Sequence, residues 1–192
     1  MNKEQEKKIE SYILQLIKYN SHTNIVGKST LNNPWKNHIL DSIQIVNFIN
    51  NKNLSILDMG TGAGLPGAIL SVAGFKNIFL LDSNRKKIKF LETIKKNLNF
   101  NFKIIIGRAE LIHDHSFDII TCRALANLNK LFSYSQNFLK KNTLLIFLKG
   151  KAVNEEIEEA KKNWHFIYDK HQSYSDPRGS VLCIKELKRL SG

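Results

Sequence analysis

The stretch that most constrains this chain is Ile56-Leu57-Asp58-Met59-Gly60-Thr61-Gly62-Ala63-Gly64-Leu65-Pro66-Gly67. An apolar run closes on an acid, three alternate glycines follow, and a proline sits in what reads as the first turn of a helix. Glycines there let the backbone turn sharply and let a ligand lie against it with no Cβ in the way. A buried strand feeding a glycine turn and then a helix is a unit of an open α/β sheet. Such sheets bind ligands outside the carboxyl ends of their strands.

From Leu54 onward the chain repeats this alternation. Strand-like runs fall at 55–58, 77–82, 103–106, 117–122 and 143–149, with helical segments near 65–73, 84–98, 127–139 and 152–163. Near-continuous apolar strands separated by helices predict a parallel sheet covered on both faces. Two further runs, 165–174 and 180–187, flank Ser175-Asp176-Pro177-Arg178-Gly179, a turn sequence, and predict a closing antiparallel hairpin. Ahead of Leu54, apolar residues at Ile9, Tyr12, Ile13, Leu16, Ile17 and Tyr19 keep helical spacing over 2–20. A polar loop spans 20–33, and Pro34 opens a second helix through Trp35, Ile39, Ile43, Val46 and Ile49. The expected architecture is one domain over 1–192: a helical extension, 1–53, on an α/β core, 54–192. That core is a doubly wound, mostly parallel, seven-stranded sheet ending in the hairpin.

Composition narrows the class. Of 192 residues, 42% are hydrophobic and 24% charged, which excludes wholesale disorder. The longest apolar runs, such as 144–148, fall far below the roughly 18 residues of a membrane span. Residues 1–8 lack the apolar stretch of an export signal. Cys122 and Cys183 have no metal or disulfide spacing, so a cytoplasmic protein without a metal is expected. Nothing in the pattern demands more than a monomer. The net charge of +12 favours an anionic partner, nucleic acid first. However, 24 Lys against 5 Arg, with 21 Asn, also reads as a lysine-biased composition. In such a chain the few arginines stand out, because only Arg offers a planar bidentate fork. Arg108, Arg123 and Arg178 fall at strand ends or in a turn.

The spacing Gly62-x-Gly64-x-x-Gly67 imitates a dinucleotide fingerprint, but its register is wrong: the strand ends at Asp58 and Gly60-x-Gly62-x-Gly64 comes first. An acid ahead of the glycines suits a cationic amino-acid ligand better than a pyrophosphate. Asp82 closes the next strand 22 residues after Gly60, where a carboxylate can accept both ribose hydroxyls. Acid, glycine loop and second acid form the layout of an S-adenosylmethionine site.

The fourth strand ends Thr121-Cys122-Arg123-Ala124, where the acceptor side of such enzymes lies. It carries no Asn-Pro-Pro-aromatic motif of the amino-group methyltransferases. Cys122 leaves open a thiolate mechanism at carbon 5 of cytosine, although strand alternation makes it a core residue. An acceptor needing no proton removal, such as guanine N7, fits the missing base, and positioning would then supply most of the catalysis. A non-catalytic RNA-binding assembly factor with this fold remains a third reading.

The chain resembles the bacterial small-subunit ribosomal RNA guanine-N7 methyltransferases of the RsmG (GidB) type from about Tyr12 onward. The carrying residues are His38-Ile39-Leu40-Asp41-Ser42, Asp58 through Gly67, Leu80-Leu81-Asp82-Ser83, Arg108-Ala109-Glu110, Arg123-Ala124, Leu148-Lys149-Gly150 and the turn at Arg178. Ala63 stands where many members have proline. The resemblance implies a Rossmann-like class I methyltransferase that moves a methyl from S-adenosyl-L-methionine to N7 of a guanine in the 530 loop of 16S rRNA. Its partner would be 16S rRNA or the small ribosomal subunit. It also implies that Gly60 and Leu65 line the methionine side of the cofactor, with Asp58, Gly62, Gly64 and Asp82 around it. Ala109 and Glu110 would lie by the adenine, and Arg123 beside the reacting centre as the catalytic residue. Lys86, Arg108, Lys149 and Arg178 form the expected RNA-facing set. His38 and Asp41 are read as a brace from the N-terminal helices to the sheet, and His113-Asp114-His115 as solvated surface.

Overall fold

In the computed structural model, which describes residues 1–190, one sheet of seven strands organises the chain. The strands are β1 (Ser55–Met59), β2 (Asn77–Asp82), β3 (Lys103–Ile106), β4 (Phe117–Arg123), β5 (Leu139–Lys149), β6 (Trp164–Gln172) and β7 (Ser180–Arg189). Their order is β3-β2-β1-β4-β5-β7-β6. The first five run parallel, and β7 lies antiparallel between β5 and β6. The order reverses beside β1, so β1 and β4 diverge into loops at a switch point where a crevice opens.

Strand alternation divides the core in two. Ile56, Ile119 and Ile146 face one side, with α1 (Lys3–Asn20), α3 (Gly67–Val72) and α4 (Arg85–Leu98). Leu57, Ile120 and Leu145 face the other, with α5 (Leu128–Ser135) and α6 (Val153–Lys161). Both faces being covered explains why these strands read as continuous apolar runs.

The N-terminal helix is set by local chemistry. Asn2 Oδ1 accepts from the Gln5 amide and Gln5 Oε1 from the Asn2 amide, each at 2.9 Å, a reciprocal cap on the first turn. Its buried stripe, Ile9, Tyr12 and Leu16, then packs on α3 and α4, with Tyr12 and Phe90 ring centres 6.1 Å apart.

Two expectations change in detail. The second helix is not one regular helix: it passes from a wide π turn over Trp35–Leu40 through α2 (Asp41–Ile43) into a 3₁₀ turn over Gln44–Phe48. The changes of pitch aim Asn37, His38 and Asp41 at the same point on β4, described below. The expected strand at 143–149 begins earlier, because Phe117 pairs with Leu139 and Ile119 with Leu144, a bulge in β5.

Candidate active site

The loop after β1 is shaped by its glycines. Gly60, Gly62 and Gly64 have φ of +69°, +61° and +90°, a region that side-chain-bearing residues rarely occupy. The Gly60 and Thr61 amides donate to Leu81 O at 2.9 and 3.0 Å, tying the loop to the end of β2. Gly67 touches no open space: a Cβ there would overlap Leu80 Cδ2 and come 2.9 Å from Asp58 Oδ2.

The two acids take different parts. Asp82, 7% exposed, closes β2 at the rim. Its Oδ2 accepts from the Gly62 amide at 2.9 Å, its Oδ1 from the Asn84 amide at 2.8 Å, and Lys87 Nζ stands 3.8 Å away. Asp58, expected to meet the ligand's amino group, is fully buried and turned into the protein. Its Oδ2 accepts from the Gly67 amide at 2.8 Å and from the Thr61 hydroxyl; Oδ1 accepts from Thr121 Oγ1 at 3.3 Å. Burial pushes its pKa up to about 6, with these hydrogen bonds and the Arg123 charge opposing the shift. Asp58 cinches the loop rather than offering a free oxygen.

Three cavities join around this loop. One, about 380 Å³, runs between Gly60, Asp82, Arg108, Ala109, Glu110 and Tyr134. The next, about 460 Å³, follows Gly60, Gly62 and Leu65 to Asp41 and Arg123. The third, about 650 Å³, lies between Arg123, Lys149, Gly150 and the 173–180 turn. Leu125 borders all three. Gly60, Gly62, Leu65, Asp82, Ala109, Glu110 and Arg123 therefore line the first two of these adjoining cavities, a trough that the Asp41–Arg123 pair separates from the third. Asp58 and Gly64 shape it from behind: a Cβ on Gly64 would sit 2.9 Å from Ala68 Cβ. The exposed main chain at Gly62, where a Cβ would meet nothing closer than 3.8 Å, and the carboxylate of Asp82 at the rim fit a ribose-bearing ligand lying along the loop.

Arg123 ends β4 where the second and third cavities meet. Its Nη1 donates to Asn37 O at 3.0 Å and to Asp41 Oδ2 at 3.2 Å, and its Nη2 donates to His38 Nδ1 at 3.1 Å. His38 Nε2 lies 2.9 Å from Thr30 Oγ1, whose hydroxyl donates to Gly27 O. Burial and the neighbouring Arg123 charge lower the His38 pKa to about 4, so its ring is neutral and accepts from the guanidinium. Asp41 Oδ1 in turn accepts from Ser175 Oγ at 2.6 Å and Gln44 Nε2 at 3.1 Å. His38 and Asp41 thus brace the N-terminal segment onto β4, and Asp41 adds a link to the hairpin turn.

Cys122 points to the opposite face, with Leu57 and Phe132, and burial raises its thiol far above the ordinary value. At 1% exposure and with its pKa raised, the thiol is poorly suited to act as a thiolate nucleophile.

The basic residues divide as well. Lys86 is exposed on α4, and Arg178 is exposed in the hairpin turn beside Asp176 at 3.3 Å. Arg108 lies on the wall of the first cavity. Lys149 departs from the RNA-facing expectation. Its side chain is 7% exposed, and its ammonium is held by Glu156 at 2.7 Å and Ala126 O at 2.9 Å. Lys87 also borders the site, as do Glu156, Leu125 and Ser175, which only their places in three dimensions reveal. Among the described residues no group of three or more His, Cys, Asp or Glu is arranged to hold a metal, and no helix is long and apolar enough to cross a membrane.

Comparison with known proteins gives the family and the fold. The family described as GidB, rRNA small subunit methyltransferase G, matches residues 5–181. The chain is 39% identical over 183 residues to the ribosomal RNA small subunit methyltransferase G of Rickettsia prowazekii (strain Madrid E), covering 95% of each. It is 39% identical over 173 residues to that of Rickettsia typhi (strain ATCC VR-144 / Wilmington), covering 90% of each. In fold it is similar to the ribosomal protein L11 methylase of Lactobacillus delbrueckii subsp. bulgaricus, with a TM-score of 0.62 and 22% identity over 76% of this chain and 75% of that one. It is likewise similar to a Pyrococcus abyssi tRNA (uracil-54, C5)-methyltransferase solved with S-adenosyl-L-homocysteine, with a TM-score of 0.55 and 15% identity over 76% and 37%. Matched by the family model over residues 5–181 and by relatives over nearly its whole length, the chain belongs to the rRNA small subunit methyltransferase G family.

Proposed function

We propose that this protein transfers a methyl group from S-adenosyl-L-methionine to N7 of a guanine in the 530 loop of 16S rRNA. The donor supplies an electrophilic methyl on a sulfonium. Asp82 accepts from the ribose hydroxyls, Ala109 and Glu110 flank the adenine, and the bare backbone of Gly60 and Gly62, with Leu65, lies along the methionine part. Asp58 and Gly64 hold that backbone in shape. Arg123 is the catalytic residue at the junction of donor and acceptor cavities, steering the purine with those N–H groups that the protein leaves free. Lys86, Arg108 and Arg178 face the RNA, where cations release counterions from phosphate.

One observation supports the choice of acceptor: the groups nearest Arg123 that could take a proton are already engaged. The His38 Nδ1 lone pair receives Arg123, both Asp41 oxygens are engaged, and the Cys122 thiol is buried. An atom with an available lone pair and no proton to lose, guanine N7, matches such a site, and alignment supplies the rate.

The test is methyl transfer by purified protein to 16S RNA or small subunits lacking the modification. Mass spectrometry of the nucleoside digest should show N7-methylguanosine, dependent on the donor. Methyl on a different base would reassign the acceptor, and none on any such substrate would overturn the assignment.

A further inference from the structure

The chain carries a net charge of +12, yet three of the four cations lining the joined cavities are matched to carboxylates. Lys87 stands 3.8 Å from Asp82, Arg123 3.2 Å from Asp41 and Lys149 2.7 Å from Glu156. The middle pair is the one in the wall between the donor-side and acceptor-side cavities, since Asp41 and Arg123 border both. Asp41 is also fixed from behind: Ser175 and Gln44 hold its second oxygen, so the carboxylate cannot turn from the guanidinium without losing both bonds. His38, neutral where it accepts from Arg123, adds no charge of its own.

The chemistry proposed above gives this pairing a purpose. The N7 lone pair forms a bond to the methyl carbon, the carbon–sulfur bond breaks, and its electrons stay on sulfur. The positive charge passes from sulfur to the purine, and no proton moves. A unit positive charge therefore occupies this space before, during and after transfer, and an unmatched guanidinium beside it would repel it at every stage. Resting on that reading, we propose that Asp41 is a positioning residue that fixes the Arg123 fork and cancels its charge. The junction then accepts first a sulfonium and then a cationic purine.

The test compares two ligands that differ by one methyl and one charge. S-adenosylmethionine and the neutral thioether S-adenosylhomocysteine are titrated calorimetrically into the full chain and into Asp41→Asn, Arg123→Gln and the double variant. Asp41→Asn should raise the ratio of the sulfonium's Kd to the thioether's by about fivefold or more, and Arg123→Gln should lower it. The double variant should return to within about twofold of the parent, because the two charges are removed together. A purely structural defect weakens both ligands alike and leaves the ratio where it was. A ratio unmoved in both single variants overturns the proposal. If Asp41→Asn does not fold, the direction of change in Arg123→Gln decides alone. A parent chain that binds neither ligand would instead overturn the methyl-transfer reading itself.

Discussion

The Tyr12 hydroxyl donates to the carbonyl of Ala63 at 2.9 Å, wholly out of solvent, and so bolts the N-terminal helix to the middle of the glycine loop. Burial raises the phenol well above its ordinary pKa, which keeps the hydroxyl a donor at any working pH. Tyr12→Phe keeps the ring against Phe90 and Phe100 but strands a buried carbonyl. The expected loss is about 1–3 kcal/mol in urea unfolding. Donor affinity should fall with it, and an unchanged unfolding midpoint would mean that this bond does not hold the loop.

Gly67, which opens α3, and Gly62, in the loop, should respond differently to alanine. At Gly67 a Cβ overlaps Leu80 and crowds Asp58, and Gly67→Ala should cost about 3 kcal/mol of stability. At Gly62 the space is open and only the φ of +61° is strained, costing about 1 kcal/mol. Gly62→Ala should therefore fold yet bind the donor poorly, because its methyl enters the trough. Thermal melts and donor titration of the two proteins separate a packing glycine from a ligand-facing one.

Asp58 should leave a signature in the pH dependence of stability. Its carboxyl titrates near 3.8 when unfolded and is pushed up to about 6 when folded, mainly by burial. Between those values the folded chain holds a proton that the unfolded chain has released, so stability falls as pH rises. Relative to Asp58→Asn, the protein should lose on the order of 2 kcal/mol between about pH 4 and pH 7. A difference between the two proteins that stays constant over that range would refute a carboxyl whose burial outweighs its hydrogen bonds.

Lys149 and Lys86 should part company. Lys149→Met leaves Glu156 without its partner and should lower stability by about 1–3 kcal/mol, with the salt dependence of RNA binding unchanged. Lys86→Met should do the reverse, sparing the melting temperature while reducing the salt slope by about 1. Filter binding to 16S RNA at several salt concentrations reads both.

Much of this was legible in the linear order. Strands β1, β2, β4 and β5 were marked by apolar runs because both their faces are covered, and the closing hairpin by Asp176-Pro177-Arg178-Gly179. The place of Asp82 at the end of β2, beside the glycine loop, was readable from the apolar run that it closes. What the order of residues could not supply was direction. Asp58 and Lys149 sit in the expected places but turn inward, toward Thr61 and Gly67 in one case and Glu156 in the other. The partners that turn them lie from three to 63 positions away for Asp58 and across the β5–α6 connection for Lys149, and no periodicity reports them. Likewise Ser175 meets Asp41 from 134 residues away, a contact that exists only once the sheet is built. The irregular helical pitch around His38 was hidden too, since the spacing of Ile39, Ile43 and Val46 is compatible with a regular helix.

The place of β7 between β5 and β6 has a consequence for how the molecule is made. As the chain emerges from a ribosome, the fifth and sixth strands appear first, each with a bare edge that only Ser180–Arg189 can cover. Two unpaired edges displayed together invite association with neighbouring chains. The pocket wall contributed by Ser173, Ser175 and Gly179 is also missing until that moment, so a nascent chain arrested before this strand should be both sticky and inert.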